Sequence, residues 1–127
     1  QIYYLLKEYG IKRIVFDSIT YFTLTEVDRF KLRKEISELS RRLKSLGVTS
    51  MFIAEVPEGE AEAGRYGMEE FVADGVIYLH NFLVRDTRVR AIEILKLRKT
   101  GHDTFLHPFK ITPRGIVVYP HERVFKE

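Results

Sequence analysis

Apolar residues recur along this chain with two different periods, and the change from one to the other divides it. At the start, Ile2, Leu5 and Leu6 lie on one face of a helix that Gly10 ends. Lys12 to Phe16 (KRIVF) is a short apolar run closed by Asp17 and Ser18, the pattern of a buried strand with polar groups at its carboxyl end. From Thr25 onward Val27, Phe30, Leu32, Ile36, Leu39, Leu43 and Leu46 repeat close to three- and four-residue spacing, which predicts a long helix. Thr25 with Asp28 three residues on reads as a capping box, and Gly47 as the stop. Val48 to Ala54 (VTSMFIA) is a second buried strand. Strand, helix, strand in this order predicts a βαβ unit with parallel strands and a right-handed crossover.

Residues 56–67 (VPEGEAEAGRYG) show no period and combine Pro, Gly and Glu, so a mobile loop is expected there. MEEFVADG reads as a short helix stopped by Gly75. The period then drops to two. VIYLHNFLV, a turn at RDTR and VRAIEILKLRK predict a hairpin, and HPFKIT with GIVVYP predicts another. The expected architecture is α/β, with parallel strands first and antiparallel hairpins last, all in one sheet.

The composition adds little to this division. The chain has 127 residues, the size of one domain, and is 45% hydrophobic and 31% charged, as soluble globular proteins are. The net charge of +3 comes from 21 basic and 18 acidic residues interspersed along the chain, so basicity alone does not argue for nucleic acid. The absence of Cys excludes disulfides, thiolate chemistry and sulfur-ligated zinc. With no apolar run long enough to span a bilayer, a cytoplasmic protein is expected, with no membrane partner. Abundant Lys, Arg and Glu beside two Met is also the trend of heat-adapted proteins.

Three groups of residues could carry chemistry. Asp17, after the apolar strand, has the shape of a Walker B element, where a strand holds a carboxylate near phosphate-bound Mg²⁺; a solvated Asp ending any buried strand looks the same. Ser18 beside it either binds a metal-bound water or caps a turn. Glu55 ends the second strand as Asp17 ends the first, so the two carboxylates reach one rim of the sheet, to hold a metal or polarise water, or for Glu55 to pair with an Arg. Lys96 and Arg98, alternate residues of a strand, project together and suit a polyphosphate, or else form a solvated charged face. His80, His102, His107 and His121 have no metal-ligand spacing, and no G-x-x-x-x-G-K-[ST] occurs in the chain.

The ordered set IVFDS, RYGMEEFVADGVIYL, EILKLRKTGH, HPFKIT and GIVVYP resembles the second half of a KaiC-type module, a branch of the RecA-superfamily ATPases. The resemblance runs through nearly the whole chain. It implies a partial RecA-like P-loop NTPase fold and a ring, usually a hexamer, with ATP held between neighbouring subunits. Asp17 would be the Walker B residue for Mg²⁺ and Ser18 its companion. Lys96, Leu97, Arg98 and His102 would reach the nucleotide of the adjacent subunit, with Arg98 acting in trans as an arginine finger and Thr112 approaching the base. Two positions depart from the family pattern: Lys99 stands where Gly usually follows the KLR triplet, and Pro113 where an acidic residue often follows the Thr.

In this family the phosphate-binding loop and the catalytic glutamates precede the Asp17 strand. The resemblance therefore implies that residues 1–127 are the C-terminal portion of a single module, holding half of its own site, with a sheet edge left open for self-association. The expected function is ATP binding and hydrolysis by attack of water on the γ-phosphate. The alternative is a truncated or degenerate module that serves oligomerisation or regulation without hydrolysis. By the resemblance, the loop from Glu58 to Tyr66 would occupy the place of the channel-facing loop that touches DNA in recombinases. Its three Glu against one Arg, Arg65, would repel a phosphate backbone, which argues against nucleic acid.

Overall fold

The computed structural model describes residues 1–20, 28–56 and 72–125. The chain folds as two compact units, Gln1–Ala73 and Asp74–Glu127.

In the first unit helix α1 (Ile2–Glu8) precedes strand β1 (Arg13–Asp17), helix α2 (Arg29–Ser45) and strand β2 (Thr49–Ile53). The two strands pair in parallel, from Arg13 opposite Thr49 to Asp17 opposite Ile53. This is the predicted βαβ unit. Its core is the α2 stripe: Leu32, Ile36 and Leu43 are buried, with Leu39 and Leu46 partly so, spaced four, three, four and three residues apart. Phe30, expected in that stripe, is 79% exposed, because two residues before Leu32 is about 200° away around a helix that turns about 100° per residue.

Leu6, Leu43 and Val48 form one buried cluster and Ile19, Leu32 and Ile36 another. Phe16 and Phe52, opposite each other in register with ring centroids 5.0 Å apart, touch both clusters. Burial alternates along both strands. The expectation of strands buried on both sides is therefore corrected among the described residues: Val15, Met51 and Ile53 lie exposed on the face away from Phe16 and Phe52.

The start of α2 also differs from the expected capping box. Asp28 is itself the N-cap, its carboxylate accepting from the Phe30 and Lys31 amides at 2.9 and 3.2 Å, and Thr25 lies outside the described residues. The stop is as expected, with Gly47 at φ +67°.

The second unit is an antiparallel meander of β3 (Gly75–Val84), β4 (Thr87–Leu97), β5 (His107–Thr112) and β6 (Gly115–Val118), neighbours in that order. Both predicted hairpins form, the first closing through Arg85 and Asp86 between Val84 and Thr87. The β4–β5 ladder is short, Ala91 with Pro108 and Ile92 with His107, and Pro108 has no amide to continue it. The expectation of one sheet is corrected: the described strands form a parallel pair and a separate four-stranded sheet. Consecutive antiparallel strands satisfy each other's backbone groups locally, so the meander closes its ladders without the parallel pair. Of the expected helix at MEEFVADG only Val72 to Gly75 are described, and Gly75 opens β3; the loop over 56–67 lies outside the described residues except Val56.

Candidate functional site

At the carboxyl end of the parallel pair, Asp17 is the last residue of β1 and is exposed. The Asp17–Ser18 peptide bond is cis, and Ser18 is half-buried. The chain beyond it runs beside β2: the Ile19 amide donates to the Ile53 carbonyl at 2.9 Å, and the Glu55 amide donates to Thr20 Oγ1 at 2.9 Å. Ile19, buried among Leu32 and Ile36, anchors this segment to the core. The outcome is a rim carrying the Asp17 carboxylate on a rigid strand end, with Glu55 exposed two residues past the end of β2. Oxygen donors of this kind suit a hard cation. Among the described residues no group of three His, Asp or Glu gathers as a resident metal site.

The second set of predicted residues lies at the end of β4. Lys96 and Leu97 are half-buried and Arg98 is exposed. Gly75 sits opposite Leu97, and the Arg98 amide donates to the Asp74 carbonyl at 2.8 Å, which carries the β3–β4 ladder one step past the strand. Arg98 Nη1 also lies 3.4 Å from Asp74 Oδ1. Directly after Arg98 the chain turns: the Thr100 amide donates to the Leu97 carbonyl at 3.3 Å, and Lys99 takes φ +62°. That left-handed conformation gives a physical reason for a glycine at this position. Lys99→Gly is expected to raise stability by about 0.5 kcal/mol, the relief of a left-handed cost of about 1 kcal/mol less glycine's larger unfolded-state entropy. An upward shift of the urea midpoint at unchanged slope checks it.

Thr112 and His102 are held by local bonds. Thr112 Oγ1 donates to the Gly115 carbonyl at 2.9 Å and accepts the Arg114 amide at 3.2 Å, which ties its hydroxyl into the β5–β6 turn. His102, half-buried, places Nδ1 2.7 Å from the Asp103 carbonyl oxygen. Asp17, Ser18 and Glu55 belong to the first compact unit, and Lys96, Leu97, Arg98, His102 and Thr112 to the second.

Two features escape sequence reasoning. Asp74 reads as the end of a helix, although its step before a glycine that opens a strand marks it as the residue facing whatever follows the partner strand. The second is a polar cluster on the approach to β5. His107 Nδ1 lies 2.7 Å from the Glu122 carbonyl oxygen and Nε2 lies 3.3 Å from Asp103 Oδ1, while the Arg123 guanidinium stacks on Phe105 at 3.4 Å. The Phe105 amide donating to Asp103, with help from His107 and Arg123, holds the Asp103 carboxyl below its ordinary value. A carboxyl lowered on folding stabilises above its unfolded pKa, and that stabilisation is lost as pH falls through the folded value. Asp103→Asn is expected to flatten the acid side of the melting profile below about pH 4; melting curves across the acid range read it.

Known proteins resemble this chain along nearly its whole length. A family model described as "ATPase: KaiC" matches residues 1–123. The circadian clock oscillator protein KaiC of Acaryochloris marina is 39% identical over 120 residues, 94% of this chain and 23% of that protein. KaiC of Synechococcus elongatus is 38% identical, with the same coverage. A crystal structure of a KaiC-like protein from the hyperthermophilic archaeon Pyrococcus horikoshii superposes with a TM-score of 0.77 at 39% identity, covering 94% of this chain and 51% of that one. This chain thus spans about a quarter of the curated relatives and about half of the solved one. A parallel strand–helix–strand whose first strand ends in Asp17, an antiparallel meander in which Arg98 follows the end of β4 at Leu97, and a match along nearly all residues lead to one conclusion: this chain belongs to the KaiC family of ATPases.

Proposed function

We propose that this chain forms the C-terminal portion of an ATP-binding and ATP-hydrolysing KaiC-type module that works at the contact between subunits of a ring. The observation that carries the reading is the strand end at Asp17, an exposed carboxylate beside a half-buried hydroxyl, in a chain of an ATPase family. Asp17, with Ser18 beside it, would hold Mg²⁺ bound to the nucleotide. There the ion supplies positive charge to the phosphate oxygens.

Each remaining residue has a separate task. Lys96 gives a point charge and Arg98 a planar fork, and together they suit the phosphates of a nucleotide bound mainly by a neighbouring subunit. As charge develops on the transferred phosphoryl group, a guanidinium aimed at it lowers the barrier more than it tightens ground-state binding. Glu55, at the same rim as Asp17, orients the attacking water. Leu97 and His102 flank the cations, and Thr112, at the β5–β6 turn, borders the base. The acidic run at Glu58, Glu60 and Glu62, where a nucleic-acid channel would need basic residues, favours a module that does not use nucleic acid.

The test is a titration of the full-length protein with ATP at fixed and varied Mg²⁺, followed by calorimetry. Asp17→Asn is expected to weaken Mg²⁺-dependent ATP binding about 10-fold while leaving Mg²⁺-free binding unchanged. Equal binding by the variant and the parent at every Mg²⁺ concentration would overturn the assignment.

A further inference from the structure

We propose that Asp74 is the positioning residue for Arg98, holding it by main chain and side chain at once. Resting on the proposed role of Arg98 as a phosphate contact, this adds a second residue to that role. Arg98 stands one step beyond the last residue of β4, where strands fray and a long side chain samples many rotamers. Two contacts from Asp74, and the space left by Gly75, oppose this. The Asp74 carbonyl accepts the Arg98 amide at 2.8 Å, and the Asp74 carboxylate lies 3.4 Å from Arg98 Nη1. Gly75 leaves the space that the Leu97 side chain fills, since a Cβ at Gly75 would come within 2.9 Å of Leu97 Cδ1. The strand end is thereby closed on Leu97 and Arg98, and the turn at Lys99 begins directly after it.

The exposure of the pair indicates what the carboxylate does. Both side chains are about half exposed, so an ion pair between them adds little to stability. A guanidinium carries its N–H donors in a rigid planar fork, however, so fixing one arm sets the direction of the others. The carboxylate also has a cost at a phosphate site, because it offsets the positive charge that attracts the nucleotide. Asp74 therefore trades ground-state attraction for orientation. That trade predicts a split that a purely structural residue would not produce: without the carboxylate, nucleotide binds at least as well and is turned over more slowly.

Steady-state ATP hydrolysis by the full-length protein tests this with Asp74→Asn, Arg98→Ala and the double variant. Asp74→Asn keeps size and backbone, and is expected to lower kcat about 10-fold while KM stays level or falls, as a misdirected catalytic group does. In the Arg98→Ala background the same change is expected to lower kcat less than about 2-fold, because residues that act through one another are not additive. A kcat unchanged by Asp74→Asn, or lowered equally in both backgrounds, would overturn the positioning role while leaving Arg98 as a phosphate contact. Should Arg98→Ala itself leave turnover untouched, the reading of Arg98 fails and this inference falls with it.

A nucleotide-free measurement guards against a variant that merely folds poorly. Nitrogen-15 NMR of the Arg98 guanidinium is expected to show restricted rotation in the parent, faster rotation in Asp74→Asn, and intermediate behaviour in Asp74→Glu, with the backbone spectrum otherwise kept. Equal guanidinium mobility in all three would sink the proposal.

Discussion

Arg98→Ala is expected to lower the kcat of ATP hydrolysis about 10³-fold with a much smaller change in KM, the signature of an interaction made mainly in the transition state. The reason begins with position. Arg98 is exposed, follows the last ladder residue of β4, and is tied by its amide to Asp74, so its backbone is fixed while its head is presented outward. A cation so placed can meet charge that appears on a phosphoryl group held elsewhere. Arg98→Lys tests the fork itself: an ammonium keeps the charge and loses the bidentate geometry, so only part of the loss should return. Single-turnover kinetics on the full-length protein separate this from slowed product release. A loss below about 3-fold for Arg98→Ala would place the residue outside the chemistry, since removal of one aimed donor ordinarily costs about 10² or more.

Leu43→Ala is expected to destabilise the first unit by about 3 kcal/mol, read from urea unfolding followed by far-ultraviolet circular dichroism. Leu43 is 0% exposed and sits in the cluster with Leu6 and Val48, against which residues of α1, β1 and β2 all pack. Truncation removes apolar area where those elements meet, and the surrounding side chains are held by α2 and the sheet, so the cavity closes only in part. Phe30→Ala provides the contrast. A larger side chain is deleted there, yet Phe30 is 79% exposed, so a change within about 0.5 kcal/mol is expected. Because α1 and α2, the helices among the described residues, both lie in this unit, the helical dichroism signal reports it directly.

The elements are legible in the sequence where the pattern is local and strong. The stripe from Leu32 to Leu46, the stop at Gly47 and both hairpins follow from spacing and turn residues, and the family follows from five motifs in order. Legibility fails where a choice depends on phase or partner. Phe30 fits a rough three- or four-residue count and loses its place once the helix phase is set by Leu32 and Ile36. Asp28 reads as one turn into the helix because Thr25 offers an equally good cap; hydrogen bonding gives the position to the carboxylate.

The sequence by itself determined the order of the elements and the parallel character of β1 and β2, and its five ordered motifs point to the family to which the chain belongs. The first two rest on short-range chemistry, periodicity and turn residues, and the last on the resemblance those motifs carry. Only the tertiary structure decided that the described strands form two hydrogen-bonded sheets, that the Val15, Met51 and Ile53 face is open among the described residues, and that Asp74 pairs with Arg98. Those are matters of register and of contacts between residues far apart in the chain, such as the 24 positions separating Asp74 from Arg98. No local pattern records them, because a strand's alternation is the same whichever strand it pairs with.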